Sequence, residues 1–309
     1  MQVNKPIFWD KKKPNLLAKV LKIFSSFFVF ISNFQIKKTK ITGIKTICVG
    51  NIYLGGTGKT PTCIYINKLL KDLGYRATFI KKLYKNQLDE QLLFKKNGNL
   101  ICKKKRLDGI KIAKSKKFNF AICDDGLQDK KIEYNLKIVC FNAKLAAGNG
   151  LVFPAGPLRE KLENLKKYHA VIINGNGEST KKFKSNLKRF NKNLKIFEGK
   201  YTLDQKIKKF KNKKFIAFSG VGNNLSFLKT LKKNNLKIIK QYNFPDHYNY
   251  TYRDIKSIKK EAKILKSNII TTEKDFLRLN KKNQKNIDFI KIKIKINNEK
   301  SFKNYLKKI

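Results

Sequence analysis

Apolar residues recur along this chain with two different spacings. From residue 44 onward, short apolar runs are separated by stretches in which apolar residues recur at helical spacing. Strands that alternate with helices are typical of an α/β fold with a mainly parallel sheet, and we predict that fold class here. The apolar runs predict strands at residues 44–49, 77–80, 118–123, 137–141, 170–173, 215–219, 236–242, 268–271 and 289–296.

The alternation is interrupted once, which divides the chain into two predicted lobes. Residues 178–195 are rich in Lys and Asn, and a second α/β series begins near residue 215. We therefore predict a larger core at 41–205 and a smaller C-terminal α/β lobe at 206–309. The last predicted strand has Ile at every second position from 290 to 296, which is typical of a strand with one buried face.

Residues 1–40 precede the first predicted strand and form a separate apolar segment. An uncharged stretch at 23–36 lies between lysines and contains five phenylalanines, four of them close together at Phe24, Phe27, Phe28 and Phe30. The stretch is shorter than the ~20 apolar residues that a membrane-spanning helix needs. This composition favours a helix that lies in the membrane interface; a core helix packed on the next domain is the alternative. The N-terminus lacks the basic stretch, apolar core and small-residue cleavage site of a secretory signal.

The charge of the chain is strongly positive. Of its 309 residues, 72 are Lys or Arg and 21 are Asp or Glu, a formal net charge of +51. Such a charge attracts polyanions, because basic residues that neutralise phosphates release counterions. Only six of the basic residues are Arg, however, and Arg is the preferred reader of bases. Asn and Ile, whose codons are A/T-rich like those of Lys, are also in excess, so we favour a genomic composition bias over a specific nucleic-acid partner.

The five cysteines show no pattern of a disulfide framework or of a metal site. They are odd in number, widely spaced and never form a C-x-x-C pair. Most of them lie within apolar runs, so we interpret them as small buried residues in a reducing compartment. They are Cys48, Cys63, Cys102, Cys123 and Cys140.

A glycine-rich loop between the first strand and a helix is the strongest single motif. Its residues are Gly55, Gly56, Thr57, Gly58, Lys59, Thr60 and Pro61. Glycines let several backbone N–H groups point at one anion, while Lys59 reaches the β- and γ-phosphates and the Thr60 hydroxyl can bind Mg²⁺. We therefore predict a nucleoside triphosphate site that uses ATP and Mg²⁺, although Tyr53 stands where the strict motif has its first Gly.

Two acidic residues follow the predicted strand 118–123. Asp124 and Asp125 come at its carboxyl end, the edge of an α/β sheet where ligands bind, so either can hold Mg²⁺. The alternative is a solvated turn at Asp124-Asp125-Gly126. A GTPase is disfavoured because no N-K-x-D motif is present and Thr272-Glu273-Lys274-Asp275 has the wrong order.

A series of further motifs is more specific than the phosphate loop. Asp124-Asp125-Gly126-Leu127-Gln128 is followed by Pro154-Ala155-Gly156-Pro157-Leu158-Arg159-Glu160, Phe244-Pro245-Asp246-His247 and Thr272-Glu273-Lys274-Asp275. Roughly from residue 44 to 280, the chain resembles the tetraacyldisaccharide 4′-kinase family. The resemblance implies a P-loop core, a second α/β lobe and a membrane-associated first helix. It also implies transfer of the γ-phosphoryl group of ATP to the 4′-hydroxyl of an anionic acylated disaccharide, the lipid A precursor, at the cytoplasmic face of the bacterial inner membrane.

The same resemblance implies roles for individual residues. Asp89 corresponds to the general base and His247 to the histidine that assists it, and the two lie on different predicted lobes. Arg159 follows a loop stiffened by Pro154 and Pro157 and is either a phosphate clamp or an exposed residue at a helix start. The implied substrate contacts are Asn51, Gln128, Arg159 and Glu160.

Three positions depart from the family pattern. Lys81-Lys82-Leu83-Tyr84 replaces S-R-G-Y, Gln91 replaces the Pro of D-E-P, and Asp129 replaces a His. Two hypotheses from other classes remain open at this point. A nucleic-acid-stimulated P-loop ATPase would use the positive charge but leaves the apolar N-terminal segment unexplained. A membrane-binding scaffold without catalytic activity leaves the phosphate loop and the acidic pair unexplained.

Overall fold

The computed structural model describes residues 6–11, 13–32, 37–84, 87–175, 177–203, 210–221, 224–246 and 248–309, with the backbone alone at 27–32 and 226. Its strands are β1 (Thr39–Lys40), β2 (Lys45–Gly50), β3 (Ala77–Lys82), β4 (Asn99–Lys103), β5 (Phe120–Asp124), β6 (Ile132–Glu133), β7 (Leu136–Asn142), β8 (Ala170–Gly175), β9 (Lys195–Leu203), β10 (Lys214–Ser219), β11 (Lys237–Asn243), β12 (Asn268–Thr272), β13 (Asp288–Ile290) and β14 (Ile292–Ile296). Its α-helices are α1 (Leu16–Ser32), α2 (Lys59–Asp72), α3 (Leu88–Asn97), α4 (Arg106–Ser115), α5 (Lys181–Phe190), α6 (Asn224–Lys233), α7 (Tyr252–Ile264), α8 (Glu273–Arg278), α9 (Lys281–Gln284) and α10 (Glu299–Lys307). Short 3-10 helices cover Ile7–Asp10 and Leu162–Lys167.

The strands form two main sheets, which confirms the predicted α/β fold. The larger has eight strands in the order β14-β9-β8-β7-β2-β5-β3-β4 and the smaller has four in the order β11-β10-β12-β13. All neighbours are parallel except β14 and β9. β2 lies at the centre of the large sheet, so the loop that follows it opens at the carboxyl edge where α/β proteins bind ligands.

Each sheet carries apolar clusters on both faces. On the large sheet, Ile66 and Leu69 of α2 pack on one face and Ile110 of α4 packs on the other. The small sheet is covered by Leu231 of α6 on one face and Ile258 of α7 on the other. All five cysteines are free thiols, and all but Cys102 are buried.

The end of the chain departs from the predicted division into lobes. The predicted strand 289–296 consists of two strands: β13 belongs to the small sheet, and β14 crosses back to pair antiparallel with β9. The buried isoleucines therefore serve two cores, Ile290 in the small lobe and Ile294 in the large one. Helix α10 also packs on the large sheet through Phe302, so a single C-terminal lobe at 206–309 is not what the structure shows.

Helix α1 is attached to the core at one edge and exposed along another. Ser25 Oγ donates a hydrogen bond to Val152 O (2.8 Å) and accepts one from Ala155 N (3.2 Å). Leu16, Ile23 and Phe24, in contrast, are 79%, 74% and 58% exposed. Within the described ranges, no helix combines the length and apolar character that crossing a bilayer requires.

Candidate active site

The glycine-rich loop has the geometry of a phosphate loop. It leaves β2 at Gly50 and enters α2 at Lys59, so the first turn of the helix follows it directly. Gly58 has a left-handed φ of 86°, and an added Cβ would lie 2.7 Å from Tyr201 Oη and 2.8 Å from Asn174 Nδ2. Asn174 Nδ2 in turn donates a hydrogen bond to Thr57 O at 2.9 Å. Gly58 is thus required both by its backbone conformation and by the side chains that support the loop.

A cleft lies between the large and the small sheet, with the phosphate loop on one side. Its volume is about 650 Å³, and residues 55–61 line it. Asp124, Asp125 and Arg159 line the same side, while Asp246 and Lys274 line it from the small lobe. Apolar side chains of both lobes complete its walls, among them Ile64, Leu93, Phe227, Ile290, Ile292 and Ile294. A cavity of this size with a phosphate loop accommodates a nucleotide.

Asp125 lies between two cationic side chains beside the phosphate loop, Lys59 and Arg159. Arg159 Nη1 donates hydrogen bonds to both of its carboxylate oxygens (3.0 and 3.2 Å), and Lys59 Nζ lies 3.9 Å from Oδ1. Burial raises the pKa of the Asp125 carboxyl, but Lys59 and Arg159 outweigh burial and hold that pKa below its ordinary value. Asp125 is therefore an anion beside Lys59.

Asp124 forms an ion pair with a buried lysine. Lys81 Nζ lies 2.7 Å from Asp124 Oδ2 and 2.5 Å from Glu90 Oε2, and the Lys81 side chain is 4% exposed. Burial lowers the pKa of Lys81, but Asp124 and Glu90 outweigh it and raise that pKa above its usual range. Lys81 is thus a fixed ammonium group between two carboxylates.

The chain of alternating charges continues into the small lobe. Glu90 Oε1 accepts a hydrogen bond from Lys274 Nζ at 3.0 Å, and the same ammonium lies 3.6 Å from Asp89 Oδ2. Asp89, in the first turn of α3, is 2% exposed and accepts hydrogen bonds from Arg278 Nη2 (2.7 Å) and Nε (3.0 Å) on Oδ2. The predicted base is therefore buried against two cations that α8 contributes.

The four predicted substrate residues lie in one hydrogen-bonded network. Gln128 Nε2 donates to Asn51 O (3.2 Å) and to Glu160 Oε1 (3.1 Å), and Arg159 Nη1 donates to Gln128 Oε1 (3.2 Å). Arg159 precedes the 3-10 helix and is only partly exposed, so the alternative of an exposed helix-start Arg does not describe its position. The network connects the strand end at Asn51 with the side chain that holds Asp125.

The oxygen donors near the phosphate loop fit Mg²⁺ bound together with a nucleotide. Among the described residues, no three or more His, Cys, Asp or Glu side chains are grouped so as to hold a metal alone. Mg²⁺ is usually held by one or two carboxylates together with phosphate oxygens and water. Asp124, Asp125 and the Thr60 hydroxyl provide that donor set along the cleft.

Comparison with known proteins gives the same assignment over nearly the whole chain. Residues 16–309 match the model of a family described as tetraacyldisaccharide-1-P 4′-kinase. The chain belongs to this family. It is 46% identical to a tetraacyldisaccharide 4′-kinase of Pelagibacter ubique (strain HTCC1062), over 100% of this chain and 99% of that relative. A tetraacyldisaccharide 4′-kinase of Rhodopseudomonas palustris (strain BisB5) is 28% identical over 90% of this chain and 87% of its own.

A solved structure of the family has the same fold. The crystal structure of LpxK from Aquifex aeolicus in complex with ATP superimposes with a TM-score of 0.74 and 24% identity, covering 95% of this chain and 99% of that one. Membership of the family makes the chain a kinase of lipid A biosynthesis, and the predicted family and enzyme class are confirmed. The alternative of a nucleic-acid-stimulated ATPase finds no support in these matches.

Two of the departures from the family pattern have a structural context. Lys81, which stands where the family has Ser, is the buried ammonium between Asp124 and Glu90. Asp129, which stands where the family has His, has its Oδ2 3.6 Å from Arg106 Nη1. Arg106 also donates to Asp124 O (3.2 Å) and Asp125 O (2.7 Å), so it fixes the turn that carries the acidic pair.

The predicted site residues do not all come together in one place. The phosphate loop, the acidic pair and Arg159 line the cleft, whereas Asp89 is buried and does not line it, although its neighbour Glu90 does. His247 lies outside the described residues. Its neighbour Asp246 has Oδ1 3.9 Å from Lys274 Nζ.

Residue patterns alone gave no role to five charged side chains that shape this site, namely Lys81, Glu90, Arg106, Lys274 and Arg278. One signal was present for Lys81, because a charged residue at the end of an apolar strand and inside the sheet needs a buried partner. For Arg278 no local signal exists, since its partner Asp89 is 189 positions away.

Proposed function

We propose that this protein transfers the γ-phosphoryl group of ATP to the 4′-hydroxyl of a tetraacyl disaccharide 1-phosphate. The observation that supports this most is the meeting of the phosphate loop, the Asp125–Arg159 pair and the Lys81–Glu90–Lys274 chain at one cleft between the lobes. The phosphate loop suits a triphosphate, and the Asp125–Arg159 pair suits an anionic group. The Lys81–Glu90–Lys274 chain leads to the buried carboxylate of Asp89.

The phosphate loop binds the triphosphate in this proposal. Backbone N–H groups of residues 55–60 and the start of α2 surround the β- and γ-phosphates, and Lys59 neutralises them. Thr60, Asp124 and Asp125 would hold Mg²⁺, which neutralises phosphate charge when it is bound. Ile64, Leu93 and Ile292 offer apolar surface within the cleft for the base of the nucleotide.

The reaction is an in-line transfer that Asp89 assists as general base. The acceptor oxygen forms a bond to the γ-phosphorus as the bond from that phosphorus to the β–γ bridging oxygen breaks, and ADP leaves. The hydroxyl proton passes to Asp89 and then to solvent, with His247 as its assisting partner. Because Asp89 is 2% exposed, Glu90 and Lys274 have to shift when the acceptor binds.

The lipid acceptor approaches from the side of α1. Leu16, Ile23 and Phe24 present an exposed apolar face that suits the boundary between headgroups and acyl chains. Ser25 fixes the helix to the loop at 152–155, and that loop leads to Arg159. Arg159 is thus placed to bind the phosphate or a hydroxyl of a lipid whose acyl chains remain in the membrane. Since ATP is the donor, the cytoplasmic face is the side on which the enzyme works.

Incubation with the lipid tests this function directly. Purified protein, ATP, Mg²⁺ and tetraacyl disaccharide 1-phosphate in mixed micelles should yield a 1,4′-bisphosphate and one ADP per product, detected by thin-layer chromatography and mass spectrometry. A folded preparation that binds ATP but forms no bisphosphate would refute the proposal. A variant with Lys59→Met serves as the inactive control, since it removes the ammonium group that the phosphate loop itself carries.

A further inference from the structure

Arg278 connects the predicted base to the small lobe through all three of its guanidinium nitrogens. Nε and Nη2 donate to Asp89 Oδ2, at 3.0 and 2.7 Å. Nη1 donates to Gly220 O, directly after β10 (2.6 Å), and to Asp275 Oδ1 (2.8 Å). The Arg278 side chain is 7% exposed, so the guanidinium plane is held on both sides by buried partners.

A buried carboxylate needs a nearby fixed positive charge to stay ionised. Asp89 is 2% exposed, and burial without a cation favours the protonated form of a carboxyl group, which cannot accept a proton. Arg278 stays charged at every accessible pH and forms two directed hydrogen bonds, whereas Lys274 lies at 3.6 Å and also serves Glu90. Arg278 is therefore the partner that sets both the ionisation and the orientation of Asp89.

We propose that Arg278 is a positioning residue for phosphoryl transfer, one that keeps Asp89 ionised and oriented and ties the base of the large lobe to the small lobe. This inference rests on the proposed function, in which Asp89 is the base. It assigns to α8 a part in catalysis without contact with either substrate. The small lobe then contributes to the rate by placing a guanidinium group against α3.

The pH profile of the reaction tests this role. In Arg278→Met, Asp89 still has Lys274 at 3.6 Å and Glu90 beside it in α3 but has lost its two hydrogen bonds from a guanidinium group, so the acidic limb of kcat should move upward by about 1–3 pH units. At a pH on that limb, each pH unit by which the limb moves reduces kcat by about tenfold, while the KM for ATP stays near the wild-type value. Arg278→Lys, which keeps the charge without the paired donors, should restore part of the rate and most of the profile.

A matched variant separates this role from simple docking of the lobes. Lys96→Met removes another ion pair between α3 and α8, the one with Glu273 at 2.7 Å, and does not touch Asp89. It should lower thermal stability without moving the acidic limb. In the Asp89→Ala background, Arg278→Met should cause no further loss of kcat, because the group it positions is gone.

The outcomes distinguish this inference from the proposed function. An active wild type together with an unshifted profile in Arg278→Met and Arg278→Lys would overturn the inference and leave the function intact. If the wild type forms no bisphosphate, the proposed function is wrong. Thermal unfolding of the Asp89→Asn, Arg278→Met and double variants then still tests whether Asp89 and Arg278 stabilise each other. Additive losses of stability in that double-mutant cycle would overturn the pairing of Asp89 with Arg278. A loss in the double variant that is smaller than the sum of the two single losses supports the pairing.

Discussion

Lys81 Nζ lies 2.7 Å from Asp124 Oδ2, so a buried ammonium group neutralises the acid at the carboxyl end of β5. The same nitrogen contacts Glu90, and through it the charge pattern extends from the phosphate loop side of the cleft to α8 of the small lobe. Buried charges of this kind are tolerated only when each has an opposite partner, so the removal of one affects all of them.

Lys81→Met is expected to destabilise the fold and to impair activity. It leaves the carboxylates of Asp124 and Glu90 without their shared cation, and breaking a buried ion pair in this way costs about 3–5 kcal/mol. Chemical denaturation should show that loss in the free energy of unfolding. Lys82→Met is the matched control, since Lys82 is the next residue along β3 and lies over the ring of Tyr84. Equal stability of the two variants would argue against a buried pair at Lys81.

Stability should fall in acid, partly because of Glu90. Burial raises the pKa of Glu90, but Lys274 and Lys81 outweigh it and hold that pKa well below its ordinary value. Its contribution is therefore complete above the unfolded pKa of about 4.3 and is lost as the pH falls below that value. Denaturation at a series of pH values should give a shallower acid slope for Glu90→Gln than for wild type. Glu163→Gln, at an exposed position, should leave the slope unchanged.

Local patterns predicted the phosphate loop and the acidic pair because each depends on a few consecutive residues. Gly58 adopts a left-handed φ that the loop itself requires. Asp124 is the last residue of an apolar strand, and such a strand is buried in an α/β sheet. The contact between Asp89 and Arg278 depends instead on how two lobes dock, and residue spacing carries no information about docking. The split of 289–296 into β13 and β14 has the same origin, since the alternation of Ile and Lys continues without interruption while the chain changes sheets.

Asp89→Ala should separate chemistry from nucleotide binding. A general base contributes about 10²–10⁴-fold to the rate, so kcat for the lipid should fall within that range. Asp89 does not line the cleft, so the dissociation constant of ATP, measured by calorimetry, should change little. Asp72→Ala, at the exposed end of α2, is the control and should keep both quantities. A large loss of ATP affinity in Asp89→Ala would mean that Asp89 supports the nucleotide and is not the base.

Gly58→Ala should harm the phosphate loop more than backbone strain alone explains. The new Cβ would lie 2.7 Å from Tyr201 Oη, in addition to the strain of φ 86°. Gly74 has a similar φ of 83° with no heavy atom within 4 Å of an added Cβ, so Gly74→Ala measures the strain by itself, about 1 kcal/mol. Gly58→Ala is expected to lose more unfolding free energy than Gly74→Ala and to weaken ATP binding, which calorimetry would detect. Similar stability and intact ATP binding in both would show that Tyr201 and Asn174 yield without consequence.

The exposed face of α1 gives the last prediction, which concerns the membrane. Ile23 and Phe24 are 74% and 58% exposed, and transfer of two such side chains into an apolar environment contributes about 1.5–3 kcal/mol each. The double variant Ile23→Ser, Phe24→Ser should therefore bind vesicles of phosphatidylethanolamine and phosphatidylglycerol at least about tenfold more weakly in a sedimentation assay, with ATP binding unchanged.

A second pair of exposed apolar residues supplies the control for that experiment. Ile264 and Leu265, at the end of α7 in the small lobe, are 69% and 40% exposed, and Ile264→Ser, Leu265→Ser should leave vesicle binding as it is. Equal weakening in both double variants would mean that the membrane responds to exposed apolar surface in general. Unchanged binding in the α1 variant would instead favour α1 as a helix that only packs on the loop at 152–155, because the contacts of Ser25 with that loop are kept.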